Sequence, residues 1–168
     1  MTTLYAQPYD ISATGFYFES AEEFSEKIKT VRNDFGDRVE EFEIQFTDGE
    51  EIDAELAKAW GLHQGNFIPF LEAVEDWEFW QKLHVIIAVG ECGYSFDPET
   101  IDPESFDIDI TPAENLQAFA RDCVEDGWFG PVPEALSPYI DYDAVARNLG
   151  VDYCEITIAG ESFVYACR

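Results

Sequence analysis

The sequence predicts an α+β protein made of three small domains in series, and three observations lead to this prediction. Short runs rich in aromatic and β-branched residues, which are typical of strands, occur near both ends of the chain. Helical patterns dominate the residues between them, and glycine and proline punctuate the segments. The 168 residues are 46% hydrophobic and 15% aromatic, which is enough material for packed cores. We place the domains at 1–50, 51–110 and 111–168.

The N-terminal domain is predicted to be a small β-sheet plus one helix. "TLYAQPY" and "TGFYF" read as two short strands with turn-forming residues between them. Ser20 followed by Glu23 has the spacing of a capping box, and an apolar stripe follows, so residues 21–33 are expected to form an amphipathic helix. "VEEFEIQFTDG" alternates apolar with acidic or polar residues and ends in Asp-Gly, which indicates a strand with one solvated face. The order of elements is therefore β-β-α-β.

The central domain is predicted to be mainly helical, with an acidic loop at its end. "EEIDAELAKAWG" indicates a short helix that ends at Gly61. "NFIPFLEAVEDWEFWQKLHVIIAVGECG" is helical in composition apart from Pro69, with Gly90 and Gly93 as stops. The acidic stretch that follows holds several prolines, so we expect a loop there with at most a short strand at "FDIDI".

The C-terminal domain is predicted to be α+β and to end in a hairpin. Thr111 and Pro112 have the residue types of an N-cap and a first helical position, so a helix is expected to begin there. "DYDAVARNLG" indicates a second helix with glycine at its end, and "YCEITIAGESFVYA" indicates two strands joined at Ala159-Gly160. We find neither an internal repeat nor a flexible linker.

The charge of the chain limits the classes of partner. Thirty-six acidic residues face nine Lys and Arg, a net charge of −27, and no Lys or Arg occurs between Leu83 and Ala120. Such a surface repels nucleic acid and anionic membranes, and it attracts basic proteins. No signal peptide opens the chain, and the longest apolar run, "VIIAV", is too short to cross a bilayer. A soluble, cytoplasmic protein is the expectation.

The motifs of known active sites and metal sites are missing from the sequence. The acidic stretch does not fit an EF-hand loop, and the four cysteines have no zinc-finger spacing. His63 and His84 are more typical of structural histidines than of catalytic bases, and no phosphate-binding or zinc-protease motif occurs. We therefore predict no enzymatic activity, no cofactor and no metal. A carboxylate-based hydrolase or a cation-binding protein remains the least favoured alternative.

Residues 95–115 carry seven carboxylates, without Lys or Arg, between apolar residues. One interpretation is that the apolar residues fix the backbone while the acids point outward as substitutes for DNA phosphates, since Arg and Lys side chains bind both groups. The other interpretation is a charged surface that serves solubility alone, and composition does not decide between them. With Glu91 just before the stretch, the candidate surface consists of Glu91, Asp97, Glu99, Asp102, Glu104, Asp107, Asp109 and Glu114.

The C-terminal third carries a family resemblance. The segment "GPVPEALSPYIDYDAVARNLG", 130–150, has Val-Pro, then Tyr-Ile-Asp-Tyr, then Ala and Arg-Asn-Leu at the spacing of the ArdA antirestriction family, which it resembles. The matching residues are Val132, Pro133, Tyr139, Ile140, Asp141, Tyr142, Ala144, Arg147, Asn148 and Leu149. The opening "LYAQPYDISATGFYF" is similar to a shortened form of the family's first two strands.

The resemblance implies a function and an assembly. ArdA proteins mimic DNA and occupy the DNA-binding groove of type I restriction-modification enzymes, and they are elongated chains of three domains that form a homodimer through the last one. Tyr139, Asp141, Tyr142 and Arg147 are then candidates for dimer contact. The alternative is a structural role, with both tyrosines half-buried and Arg147 paired within the chain. Without antirestriction activity, the chain would be an acidic interaction module for another basic protein.

Overall fold

The computed structural model describes all residues, 1–168, and confirms the α+β class. The strands are β1 (Thr3–Pro8), β2 (Phe16–Phe18), β3 (Phe42–Asp48), β4 (Ile108–Pro112), β5 (Cys154–Ile158) and β6 (Glu161–Cys167). The helices are α1 (Ala21–Ile28), α2 (Glu51–Trp60), α3 (Phe67–Asp76), α4 (Phe79–Gly90), α5 (Leu116–Glu125) and α6 (Tyr142–Leu149), with a 3₁₀ helix at Glu134–Tyr139. None of the helices is long and apolar enough to cross a membrane.

The contacts group the chain into two compact units, Met1–Phe106 and Asp107–Arg168. The first unit contains both the predicted N-terminal domain and most of the predicted central one. Phe67 of α3 explains this, because its ring lies 5.2 Å from Phe18 of β2 and 4.7 Å from Phe24 of α1. These aromatic contacts join the two predicted domains across the expected boundary at residue 50. The division into three domains stays a prediction.

The first unit contains a three-stranded antiparallel sheet in the order β2-β1-β3. Leu4 and Ala6 of the central strand are fully buried, and they pair with Phe46 and Ile44 of β3. Alternation along β3 puts Phe42 and Ile44 inside and leaves Glu43 exposed, as the sequence pattern predicts. The helix α1 begins directly after the predicted capping residue Ser20 but ends at Ile28, five residues before the expected end at residue 33.

Three helices complete the first unit. Gly61 ends α2 with a positive φ of 63°, as the sequence predicts, because glycine adopts the left-handed conformation without steric cost. The long helical composition that follows is divided into α3 and α4 at Trp77 and Glu78, whose backbones are extended. Gln81 stabilises the new start, since its side-chain Oε1 accepts a hydrogen bond from the Glu78 backbone N–H at 3.0 Å.

The second unit contains the antiparallel sheet β4-β6-β5 and the helices α5 and α6. Phe119 and Cys123 of α5 form a core with Val164 of β6. The predicted hairpin at Ala159-Gly160 is confirmed, with φ values of 50° and 77° that suit a two-residue turn.

The predicted helix start at Thr111 and Pro112 is wrong. Both residues belong to β4, and Pro112 closes the strand. The helix begins at Leu116, where the Asn115 side chain accepts a hydrogen bond from the Ala118 backbone N–H at 2.8 Å. Asparagine and threonine are both good N-cap residues, so residue type alone could not separate the two starts.

Candidate acidic recognition surface

Two consecutive turns of the same construction present the acids of residues 97–105. In the first turn the Asp97 side chain accepts a hydrogen bond from the Glu99 N–H at 3.1 Å, and the Asp97 carbonyl accepts one from Thr100 at 3.1 Å. Asp102 makes the equivalent bonds to Glu104 and Ser105, at 3.0 and 3.1 Å. Each aspartate therefore fixes its own turn, and the glutamate two residues later is exposed.

The two turns correspond to a short sequence repeat that was not identified from the sequence. "DPET" at 97–100 and "DPES" at 102–105 repeat with a period of five residues. Proline sets the φ angle of the second turn position, and aspartate at the first position bonds the backbone two residues on. The signal was visible as a repeated Asp-Pro pair, but it is too short to indicate a repeat architecture.

Apolar side chains attach this stretch to the body of the first unit. The Phe96 ring lies 5.0 Å from the buried Trp60 ring, and the Phe106 ring lies 5.3 Å from that of Tyr94. Pro103, between the two acids of the second turn, is buried. The backbone is therefore fixed from inside while the carboxylates between these contacts stay in solvent.

The acids of the candidate surface that belong to the first unit are all exposed, and none of them forms an ion pair. Glu91 follows the end of α4, while Asp97, Glu99 and Asp102 occupy the turns. Glu104 accepts a hydrogen bond from the Gln81 side chain at 3.3 Å, which links it to the start of α4. Because no cation neutralises these carboxylates, this part of the candidate surface carries an uncompensated negative charge.

The acids of the second unit differ from one another. Asp107 and Glu114 are exposed, whereas Asp109 on β4 is half-buried and forms an ion pair with Arg168. The Arg168 Nε lies 3.0 Å from Asp109 Oδ2, and this hydrogen bond and the carboxylate charge raise the pKa of the guanidinium. Much of the Asp109 charge is therefore compensated within the chain. The sequence analysis grouped Asp109 with the unpaired acids, because a partner 59 residues away is not visible in the local sequence.

No group of three or more His, Cys, Asp or Glu side chains is arranged to hold a metal ion. The dense acids of 97–104 point outward from separate turns, so they do not converge on one point. A calcium site would need six to eight oxygen ligands around one centre.

The residues that carry the family resemblance have different environments. Asp141 caps α6, with its side chain accepting a hydrogen bond from the Ala144 N–H at 3.0 Å. Tyr142 is half-buried beneath the Arg121 guanidinium, which lies 4.1 Å from the ring centre. The structural alternative for the other two residues is wrong, because Tyr139 is 83% exposed and Arg147 is exposed without an ion pair. Both side chains are therefore accessible to a partner.

An exposed apolar segment next to these residues was not identified from the sequence. Trp128, Phe129, Val132, Leu136 and Tyr139 are all at least 39% exposed. We call them the 128–139 segment. The signal was the density of apolar residues in "GWFGPVPEALSPY", which has no helical or strand period that would indicate burial. Large exposed apolar patches mark protein or membrane interaction sites, which makes this segment a candidate for contact with a partner.

Comparison with known protein families identifies the group to which the chain belongs. The sequence model of the antirestriction protein ArdA matches residues 12–163. The match covers nearly the whole chain, so the protein is a member of the ArdA antirestriction family. A search of curated proteins found no match.

Proposed function

We propose that this ArdA family member is a non-enzymatic DNA mimic that occupies the DNA-binding groove of type I restriction-modification enzymes. The observation that supports the proposal best is the pair of Asp-Pro-Glu turns at 97–105. Their backbone is fixed by apolar contacts and by their own hydrogen bonds, and their carboxylates are exposed without cations. A rigid array of unpaired carboxylates is what a groove lined with Arg and Lys would bind in place of phosphates.

The charge of the whole chain supports the same proposal. Duplex DNA carries one negative charge about every 1.7 Å along its axis, and proteins that bind it gain affinity by releasing counterions. A chain with a net charge of −27 attracts a basic groove electrostatically, and salt screens this attraction. Complex formation is therefore expected to weaken as the salt concentration rises.

The test is a competition between this protein and DNA for a type I restriction-modification enzyme, measured by fluorescence anisotropy of labelled cognate DNA over a salt series. Near-stoichiometric displacement of DNA that weakens with salt is the expected result. No displacement at low salt, where electrostatic attraction is strongest, would contradict mimicry. That outcome would favour an acidic module for another basic protein.

A matched pair of charge reversals locates the binding surface. Glu99→Lys with Glu104→Lys changes the turns, whereas Glu40→Lys with Glu41→Lys makes the same change of charge at exposed positions elsewhere in the first unit. The first double variant is expected to lose displacement and the second to keep most of it. Equal losses would show that net charge alone, and not the turns, determines binding.

We also propose that the protein is a homodimer through its second unit, with the 128–139 segment covered by the partner copy. Sedimentation velocity of the wild type should give a dimer, and Trp128→Ser with Leu136→Ser should give a monomer. Val151→Ser, which removes another exposed apolar side chain of this unit, is the control. A double variant that stays dimeric would place the interface elsewhere.

A further inference from the structure

The first unit contains a groove whose lining differs from the acidic recognition surface. It has a volume of about 770 Å³ and runs between the start of α1, the start of α2 and one side of α3. The volume is in the range of pockets that take ligands or several side chains of a partner. None of the residues in the candidate surface lines the groove.

The floor of the groove is the second apolar face of α3. Phe67, Phe70 and Ala73 point into the core and are buried. Ile68, Leu71 and Val74 follow at a spacing of three residues, so they form a stripe of their own. All three line the groove, and Ile68 is 46% exposed. A surface helix normally keeps one apolar face, and the unit covers this second stripe only in part, since Leu71 and Val74 are half-buried and Ile68 is exposed.

The rim of the groove is acidic. Exposed carboxylates surround the apolar floor: Glu19, Glu22, Glu50, Glu72 and Glu75. The one lysine side chain in the lining, Lys82, lies 2.7 Å from Asp53 and is neutralised by it. The groove therefore offers an apolar floor between negatively charged walls, which is complementary to an apolar surface flanked by cations.

We propose that this groove binds a cationic amphipathic helix of a partner protein, which lays its apolar face on Ile68, Leu71 and Val74. The Lys and Arg side chains on the flanks of such a helix would reach the carboxylates of the rim. No helix of this chain carries more than one Lys or Arg, so a second copy does not supply the occupant. An anionic membrane is repelled by the rim.

Two different interactions would hold the helix, and they predict different salt responses. The ion pairs with the rim are exposed and weaken with ionic strength, whereas the apolar contact with the floor does not. Binding is therefore expected to retain a salt-resistant part. The acidic recognition surface has no comparable apolar floor. Salt-resistant binding therefore distinguishes the groove from the proposed DNA mimicry.

The experiment uses the full chain and a synthetic fluorescent peptide of about 18 residues, long enough to span roughly 27 Å as a helix. Leucines occupy one face of the peptide and lysines the others, and a scrambled peptide of identical composition has no apolar face. The expected result is that the amphipathic peptide binds at least about tenfold more tightly, because only its leucines can cover the floor together. Equal binding of the two peptides would overturn the proposal.

Variants of the chain test the place of binding. Ile68→Ser with Leu71→Ser is expected to weaken binding about tenfold or more, while Ile11→Ser, which changes an exposed residue outside the groove, leaves binding within about twofold. Glu72→Gln with Glu75→Gln should reduce binding mainly at low salt, whereas Glu40→Gln with Glu41→Gln should not. Equal effects of groove and control variants would show unspecific attraction to an acidic protein.

A measurement on the wild type makes the test independent of variant folding. A spin label on the peptide is expected to broaden the methyl NMR signals of Ile68, Leu71 and Val74 before those of Ile11 and Val151. Broadening at the control methyls instead would overturn the proposal. DNA displacement by Ile68→Ser with Leu71→Ser should equal that of the wild type, so failure of the groove and failure of the mimicry remain distinguishable.

Discussion

Lys82 Nζ of α4 lies 2.7 Å from Asp53 Oδ1 of α2, and the two side chains are only 7% and 4% exposed. This ion pair joins two helices that pack against each other in the first unit. Removing both charges from water costs free energy, and the mutual attraction offsets that cost only while both partners are present. The pair therefore makes the packing of α2 on α4 sensitive to the loss of either residue.

Lys82→Met is expected to lower the free energy of unfolding by about 3–5 kcal/mol, because it leaves Asp53 buried without a partner. Adding Asp53→Leu should restore most of that loss, since well-packed apolar residues often replace a buried pair without net cost. Urea unfolding followed by tryptophan fluorescence measures both values.

The exposed pair Lys58–Glu55, at 3.0 Å, provides the control. Lys58→Met should change the free energy of unfolding by at most about 1 kcal/mol, because solvent screens a pair with 72% and 35% exposure. If Lys82→Met lowered the free energy of unfolding no more than Lys58→Met, the buried pair would contribute no more to stability than the exposed one.

The sequence predicted the elements whose signals are local. The alternation of Phe42 and Ile44 with Glu43 predicts β3, and Gly61 predicts the end of α2, because side-chain period and backbone preference act within a few residues. The division between α3 and α4 was missed, since Trp77 and Glu78 carry no breaker signal. Their extended backbone accompanies a contact that no local pattern predicts, the Trp77 ring lying 5.8 Å from that of Trp60.

For the candidate surface, too, the sequence predicted the local features and missed the contacts between residues far apart in the chain. Exposure of Glu99 and attachment through Phe96 follow from the pattern of acids and apolar residues. The pairing of Asp109 with Arg168 and the burial of Lys82 depend on partners that are 59 and 29 residues away. No local sequence pattern predicts such contacts. They determine which charges are compensated within the chain.

Asp10 should show a pKa below its ordinary value of 3.8, mainly because its carboxylate accepts hydrogen bonds from the Ser12 hydroxyl and backbone. A lowered pKa in the folded state stabilises the protein above 3.8, and the contribution is lost as the pH falls through the folded value. Ser12→Ala should raise the pKa of Asp10 in a carboxyl ¹³C NMR titration. An unchanged pKa would contradict the assigned cause.

Asp141 is expected to act on stability through its cap of α6. Asp141→Ala should cost about 1 kcal/mol of stability, because the Ala144 N–H loses its acceptor, while Asp141→Ser should keep most of it. Urea unfolding of the two variants gives the comparison. If both variants changed the dimerisation constant and neither changed the stability of the fold, the residue would serve assembly and not the helix.

Cys123 and Cys154 should differ in reactivity. Cys123 is buried, and burial together with the charges of Asp122 and Asp126 raises the pKa of its thiol. Cys154 is exposed. Alkylation of the native protein at neutral pH, mapped by mass spectrometry, should modify Cys154 first, because the thiolate is the reacting form. Preferential modification of Cys123 would show that the α5 core opens readily.

Because Asp109 is in an ion pair, we expect the acids of the candidate surface to contribute unequally to DNA displacement. Asp109→Asn should leave the displacement of DNA from a restriction-modification enzyme nearly unchanged, because Arg168 already compensates that charge. Glu99→Gln should weaken displacement by about 1.5- to fivefold, the range of one exposed ion pair with the partner. Arg168→Gln should strengthen displacement, since it releases the Asp109 carboxylate and removes a positive charge. The anisotropy competition at low salt measures all three variants, and a larger loss for Asp109→Asn than for Glu99→Gln would mean that Arg168 leaves Asp109 when the partner binds.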